Sequence, residues 1–430
     1  MSDTIFAVSS GAPPAAIAIM RLSGAGAFEA VRRLAGDVPT PRVAALRALR
    51  DPHDGELLDR ALVLIFPGPG SATGEDLAEL HLHGGRAVVR AVEAALGALP
   101  GLRPAEPGEF TRRALANGRI DLSEAEGLGD LLMAETEGQR RAAIRSAEGA
   151  VRREVEGWTT RALMLSAQVE ALLDHGDEDD VASGPDPLPA IRRVAAALSG
   201  EIGAVASRPP VERLRDGLRV VLAGPPNAGK STLLNALAER DAAIVSPIAG
   251  TTRDRIEAPV VRGGVAYLLT DTAGITATPG DAIEAIGVTR AQDALAAADI
   301  LLWLGDDPAP EHPAVLWLHA RADDPERVGN PRADVAISAK TGSGVDALWN
   351  AMERVSRTLL PPPDLVALNA RQRDLCLSAA QALASIAGEG DLLLIAEQLR
   401  SALRAFDAIT GKAGVEAMLD SLFGRFCIGK

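Results

Sequence analysis

The sequence predicts a multidomain chain: an N-terminal α+β domain, an all-α helical domain, and an α/β domain inserted into the helical one. Three observations predict this. A length of 430 residues exceeds one ordinary core and suits two to four domains. The hydrophobic spacing changes twice, from mixed to helical near Ile120, then to strand–loop–helix alternation at Gly217. Helical spacing then resumes after the triple proline Pro361–Pro363.

Taken in order, residues 1–118 mix short apolar runs (AIAIMRLSG, ALVLIFPGPG) with the helical RAVVRAVEAALGAL, punctuated by Gly and Pro, which reads as α+β. Residues 119–214 carry apolar positions three and four apart and form the first part of the helical domain. Their acidic interruption, DHGDEDDVASGPDPLP, reads as a solvated loop. Residues 215–359 alternate as a parallel α/β sheet requires, and 360–430 complete the helical domain. An inserted domain needs neighbouring ends, which small doubly wound domains supply.

Composition narrows the function classes. The chain is 47% hydrophobic and 24% charged, which is globular rather than disordered. No stretch approaches the roughly 20 apolar residues of a membrane span. The N-terminal apolar run lacks a basic n-region and ends in Arg21 instead of a cleavage site, so no secretory leader is expected. Cys376 and Cys427 cannot build a multi-bridge framework and fit a reducing compartment, here the cytoplasm. With a net charge of −14 there is no general basic coat, so nucleic-acid contact must be local or shared with a partner. Only Lys230, Lys340, Lys412 and Lys430 are lysine, in an arginine-biased chain. Such a lysine can mark a place that needs a compact ammonium.

The strongest motif is GLRVVLAGPPNAGKSTLLNALA. An apolar strand, Leu218–Ala223, runs into Gly224-Pro-Pro-Asn-Ala-Gly-Lys-Ser231 and then a helix, the context that validates a P-loop. Its glycines let amides turn toward a β-phosphate, Lys230 reaches β/γ oxygens, and Ser231 ligates Mg²⁺. In DAAIVSPIAGTTRD, Thr252 can give Mg²⁺ a second hydroxyl. The strand VAYLLT leads into Asp271-Thr272-Ala273-Gly274, where Asp271 can hold a Mg²⁺ water and Gly274 can meet a γ-phosphate. In this order the elements resemble the switches of Ras-like P-loop GTPases.

The base-reading element departs from Asn-Lys-x-Asp: Ala320, Arg321 and Asp323 stand in those places. Asp323 can still take both guanine N–H groups, the Arg321 stem can stack on the base, and Ser338-Ala339-Lys340 matches the following guanine-contacting element. Ile275 follows Gly274, so no glutamine is there to orient water. Glu284 is the nearest polar candidate, against the alternative of a solvated helix carboxylate.

GPPNAGKSTLLNAL, AIVSPIAGTTRD, DTAGI and the terminal FCIGK together resemble the MnmE (TrmE) family of tRNA-modification GTPases. In the N-terminal part MRLSG, GEDLAELHLHGG and PGEFTRRALANGRIDLSEAEG match its pattern. The resemblance implies a K⁺-activated GTP hydrolase that dimerises through its N-terminal domain. With the flavin-dependent partner MnmG it uses a folate one-carbon unit, on 5-formyl- or methylene-tetrahydrofolate, to build an aminomethyl-type group on C5 of the wobble uridine of certain tRNAs. A homodimer, a heterotetramer with the partner, and no membrane association are implied.

By the same resemblance the nucleotide contacts are Asn227, Ala228, Gly229, Lys230, Ser231, Thr232, Ser246, Pro247, Ile248, Ala249, Gly250, Thr251, Asp271, Thr272, Ala273, Gly274, Asp323, Ser338, Ala339 and Lys340. Ser231 and Thr252 are implied Mg²⁺ ligands; Asn227, Ser246, Ile248 and Thr251 are implied K⁺ ligands. Glu284, Lys230 and Thr252 are the implied catalytic set, and Arg21, Glu79, Arg119 and Lys430 the implied folate set. Arg119 stands where the family usually has lysine.

Other features read more plainly. His81 and His83 share a face if HLHGG is a strand, and without a third ligand they read as packing or pocket lining and not as a zinc pair. The pairs Arg112/Arg113, Arg140/Arg141 and Arg152/Arg153 read as solvated faces before tRNA contacts. Cys427 sits in a C-a-a-X frame, but a terminal lysine is a poor X residue. The competing function is a regulatory P-loop switch in ribosome or RNA assembly; the N-terminal motifs and terminal CIGK argue against it.

Overall fold

The structure, a computed structural model, describes residues 3–175, 186–240, 257–272, 293–412, 422–424, 426 and 429. The chain divides into two compact units, Met1–Gly129 with Ser146–Thr160 and Leu403–Lys430, and Asp130–Arg145 with Arg161–Ala402.

The first unit holds a six-stranded sheet: β1 (Thr4–Val8), β2 (Ile17–Ser23), β3 (Ala45–Arg50), β4 (Leu57–Phe66), β5 (Leu77–His83) and β6 (Leu102–Pro104). The order is β3-β4-β5-β2-β1-β6, antiparallel except for the β1–β6 pair. Alternation along β2, β4 and β5 sends Met20, Leu22, Val63, Ile65, Leu80 and Leu82 to one face. There they pack on α1 (Ala27–Ala35) and α2 (Arg86–Gly97) through Val31, Leu34, Val89, Val92 and Leu96. By the same alternation Arg21, Glu79 and His81 point to the opposite face.

Helices α3 (Glu109–Ala116), α4 (Leu122–Met133), α5 (Glu137–Ala147) and α6 (Ala150–His175) follow. The sequence DLSE starts α4 as a reciprocal cap: the Glu124 amide donates to Asp121 and the Asp121 amide donates to Glu124.

In the second unit α7 (Leu188–Ala206) and the short α8 (Glu212–Arg215) lead to a second six-stranded sheet. Its members are β7 (Leu218–Ala223), β8 (Glu257–Arg262), β9 (Val265–Asp271), β10 (Ile300–Trp303), β11 (Val315–Ala320) and β12 (Val335–Ile337), in the order β12-β11-β10-β7-β9-β8. Only the β8–β9 pair is antiparallel. Central parallel strands are buried on both faces, hence the apolar run Val220–Ala223 in β7. Helices α9 (Lys230–Arg240) and α10 (Val345–Leu359) cover one face, with Leu233, Leu237, Leu348, Trp349 and Met352 against Val220 and Leu222.

The chain returns to helix in α11 (Ala370–Ser385) and α12 (Leu392–Thr410). Asn369 and Gln372 form a capping box at the start of α11, which fixes where helix resumes after the prolines. Among the described residues no helix is long and apolar enough to cross a membrane.

Candidate active site

The C-terminal ends of β7, β11 and β12 carry the loops that form a cleft of about 500 Å³. Open α/β sheets place ligands at these strand ends. Asn227, Ala228, Gly229 and Thr232 line one end of the cleft, and Arg321, Asp323, Asp324, Ala339 and Lys340 line the other.

At the first end, α9 begins at Lys230, so its first amides have no partner within the helix and face the loop. Gly224 holds φ at +149°, and a Cβ there would lie 3.2 Å from the Gly305 amide and Leu304, so β7 turns tightly against the end of β10. Asn227 holds φ at +64°, a conformation that asparagine tolerates better than most residues. The buried Lys230 ammonium crosses the loop and donates to the Gly224 and Pro225 carbonyls at 3.0 Å each. It therefore sits within the turn of backbone amides, where phosphate oxygens are received.

The Ser231 hydroxyl donates to the Asp271 carboxylate. This brings together two hard oxygen donors from different elements, the chemistry that Mg²⁺ selects. Thr272 donates to the Leu222 carbonyl at 2.9 Å and ties the end of β9 to β7.

At the other end Asp323 accepts a hydrogen bond from the Ser338 hydroxyl. That bond, with its own backbone bond and the charges of Lys340 and Arg321, holds its carboxyl below the usual carboxylate range. Ser338 in turn accepts from the Thr341 amide at 3.1 Å, which aims its proton at Asp323. The ionised carboxylate is an acceptor for paired N–H donors such as those of guanine. Ala320, which stands where the Asn-Lys-x-Asp element has asparagine, is buried in the same apolar cluster as Ala228 of the P-loop.

On the other face of the first sheet, Arg21 lies across from Glu79 in the β2–β5 register. Its Nε and a terminal nitrogen donate to Glu79 Oε1 at 3.1 and 2.8 Å. His81 Nε2 lies 3.3 Å from the other Glu79 oxygen, and the guanidinium is 5.9 Å from the Phe110 ring centre. Arg119 is exposed; its stem packs across Gly74, and its amide donates to the Ala114 carbonyl at 2.8 Å. Gly429 reaches the end of β1, where its carbonyl accepts from Ser9 Oγ at 2.6 Å. Its φ is +99° and a Cβ there would meet the Val8 carbonyl at 2.1 Å, so only glycine lets the tail lie this close.

The family described as "GTP-binding protein TrmE N-terminus" matches residues 4–119, and the one described as "MnmE helical domain" matches residues 122–427. The chain is 57% identical over 429 residues to "tRNA modification GTPase MnmE" of Erythrobacter litoralis, covering 100% of both chains. It is 59% identical over 433 residues to the protein of that name from Rhizorhabdus wittichii, covering 100% of this chain and 97% of the relative. The Sphingopyxis alaskensis protein of that name is 55% identical over 420 residues, 96% of this chain and 100% of the relative. This chain belongs to the MnmE family.

Of the MnmE-type site residues expected from the sequence, the cleft brings together Asn227, Ala228, Gly229, Thr232, Asp323, Ala339 and Lys340 along its walls. Lys230, Ser231, Asp271, Thr272 and Ser338 adjoin them through the bonds given above. Ser246, Pro247, Ile248, Ala249, Gly250, Thr251, Thr252, Ala273, Gly274, Glu284, Cys427 and Lys430 lie outside the described residues. In the N-terminal domain, Arg21 and Glu79 form one pair, while the Arg119 stem packs against Gly74 of the β4–β5 loop. A charged pair beside an aromatic ring fits a folate, whose pteridine offers N–H donors and a stacking face and whose tail carries carboxylates.

Some side chains depart from the sequence reading. Arg113 is not on a solvated face: its side chain is 12% exposed and bonds Glu75, Glu109 and Asp3. Arg112 stacks 5.4 Å from the Phe423 ring centre. Arg140 and Arg141 pair with Glu137 and Arg152 with Glu156, exposed as expected. His83 pairs with Asp59 at 2.7 Å and His81 with Glu79, and no cluster of three or more metal-ligating side chains occurs among the described residues. Sequence reading missed Asp324, which lines the cleft and bonds Arg321. The doubled acid in RADDP was its only signal.

Proposed function

We propose that the chain hydrolyses GTP and, with the flavin-dependent partner MnmG, uses a folate one-carbon unit to build an aminomethyl-type group on C5 of the wobble uridine of certain tRNAs. The observation that carries this is the 57–59% identity, over the whole chain, with relatives named tRNA modification GTPase MnmE, on a chain whose P-loop cleft ends at an ionised Asp323. The protein acts in the cytoplasm as a homodimer that assembles with the partner and tRNA. The division 1–118, 119–214, 215–359 and 360–430 is part of the proposal, supported by one sheet in 1–118 and the other in 215–359.

The residues divide the chemistry. Amides of Asn227–Ser231 and the α9 N-terminus bind the phosphates, and Lys230 balances their charge. Asp323 selects guanine by accepting from its N1–H and N2–H, with the Ser338–Lys340 backbone beside it. Ser231 and Thr252 would hold Mg²⁺; Asn227, Ser246, Ile248 and Thr251 would hold K⁺. Bound there, the two cations supply neutralisation of charge on the β- and γ-phosphate oxygens. Glu284 orients the attacking water. Arg21, Glu79, Arg119 and Lys430 would hold the tetrahydrofolate, which supplies the one-carbon unit.

The test is reconstitution with the partner, a tetrahydrofolate, GTP and unmodified tRNA, read by mass spectrometry of the nucleosides. A C5-substituted uridine that requires GTP is expected. Arg21→Ala should lose this product while keeping GTP turnover. Absence of the product from the unaltered protein contradicts the reading.

A further inference from the structure

Among the described residues only Arg42, Asn227 and Arg321 hold positive φ without being glycine, and two of these three line the nucleotide cleft. Asparagine suits that conformation; arginine does not, because its Cβ crowds the following carbonyl oxygen. Arg321 nevertheless holds φ at +60°. Such conformations persist where the surroundings over-determine them, commonly at functional sites.

Here the surroundings are explicit. The Asp324 amide donates to the Arg321 carbonyl at 3.0 Å and closes a turn. The Ala322 amide donates to the Ile337 carbonyl at 3.1 Å and ties that turn to β12. Asp324 Oδ1 accepts from the Glu326 amide at 3.1 Å, while Oδ2 accepts from the Arg321 guanidinium at 3.0 Å. An exposed ion pair is ordinarily worth little, because two long side chains must be ordered to form it. In this pair the carboxylate is already fixed by the backbone, so only the arginine remains to be ordered. Both side chains line the end of the cleft that carries Asp323.

We propose that Asp324 is a positioning residue for nucleotide binding: it pins Arg321 beside the base, so that this pair supports base binding where an asparagine amide is replaced by Ala320. The inference rests on the GTPase reading and deepens it. A planar guanidinium and its stem contact the face of a purine, whereas Asp323 reads the edge. Stacking does not distinguish purines that share a face, so the pair raises affinity for guanine and hypoxanthine nucleotides equally.

The experiment is calorimetric titration of the full chain with GDP and with inosine diphosphate. It compares the unaltered protein, Asp324→Ala, Arg321→Gly and the double variant. Glycine accepts the backbone conformation at Arg321, so Arg321→Gly keeps the loop and removes only the side chain. Each single variant should weaken both nucleotides about 3- to 10-fold. The double variant should be no weaker than Arg321→Gly, because Asp324 acts through Arg321. GDP binding within twofold of the unaltered protein in either single variant overturns the inference. So do losses that multiply in the double variant, or a loss confined to GDP. If the unaltered chain binds neither nucleotide, the GTPase reading falls and takes this inference with it.

Discussion

At the phosphate end of the cleft, Gly224, Gly229 and the first amides of α9 present main-chain donors around one buried ammonium. At the base end, Asp323, Ser338, Arg321 and Asp324 work through side chains held by one another. Main-chain recognition leaves little room for change, because the turn needs its glycines and the ammonium needs its length. Side-chain recognition can be rebuilt. In this chain Ala320 packs where the Asn-Lys-x-Asp element has its asparagine, and an arginine–aspartate pair stands beside it. The contrast teaches that a departure at the base end alters how the nucleotide is held without altering what the phosphate end does to it.

Three changes would break or sharpen that contrast. The largest effect belongs to the phosphate end. Lys230→Ala should lower kcat/KM for GTP by at least about 100-fold, the scale for removing one donor from a charge-stabilising site. Steady-state phosphate release measures this, with an unchanged circular-dichroism spectrum showing that the domain remains folded. A loss under tenfold would mean that the ammonium is not part of the phosphate site.

Next comes the base edge. Asp323→Ala removes a charged acceptor from two N–H donors and should weaken GDP binding by about 10- to 100-fold. ADP binding should stay unchanged, so the preference for guanine collapses. Equal weakening of both nucleotides would place Asp323 in loop structure and not in base reading.

The smallest effect concerns protonation. The Ser338 bond lowers the Asp323 pKa, so the carboxylate is ionised above that lowered value and GDP affinity falls only as pH drops through it. Ser338→Ala should return the group toward 3.8, and the acid loss of GDP affinity should then begin at higher pH. Titrations from about pH 2.5 to pH 7 measure this, and near neutrality the two proteins should bind alike. Identical acid limbs would show that Ser338 does not tune Asp323.

The same contrast explains what could be read from sequence. The P-loop was legible because its chemistry lies in backbone shape, and the glycine spacing between an apolar strand and a helix encodes that shape directly. The Arg321–Asp324 pair was not legible, since nothing in RADDP announces an arginine at positive φ. Arg113 makes the point for the N-terminal domain. Its partners Asp3 and Glu75 are distant in sequence, and only the folded sheet brings them to α3. A doubled arginine among glutamates therefore looks like any solvated helix face. Arg21 and Glu79 were found from family motifs; the structure adds that they are cross-strand partners with His81 beside them.

The most direct test of the account compares turnover of GTP and ATP by the purified protein in KCl and in NaCl. The account predicts that GTP is hydrolysed in preference to ATP and faster in K⁺. That stimulation should be lost in Asn227→Ala. Equal use of ATP, or indifference to the cation, would contradict it.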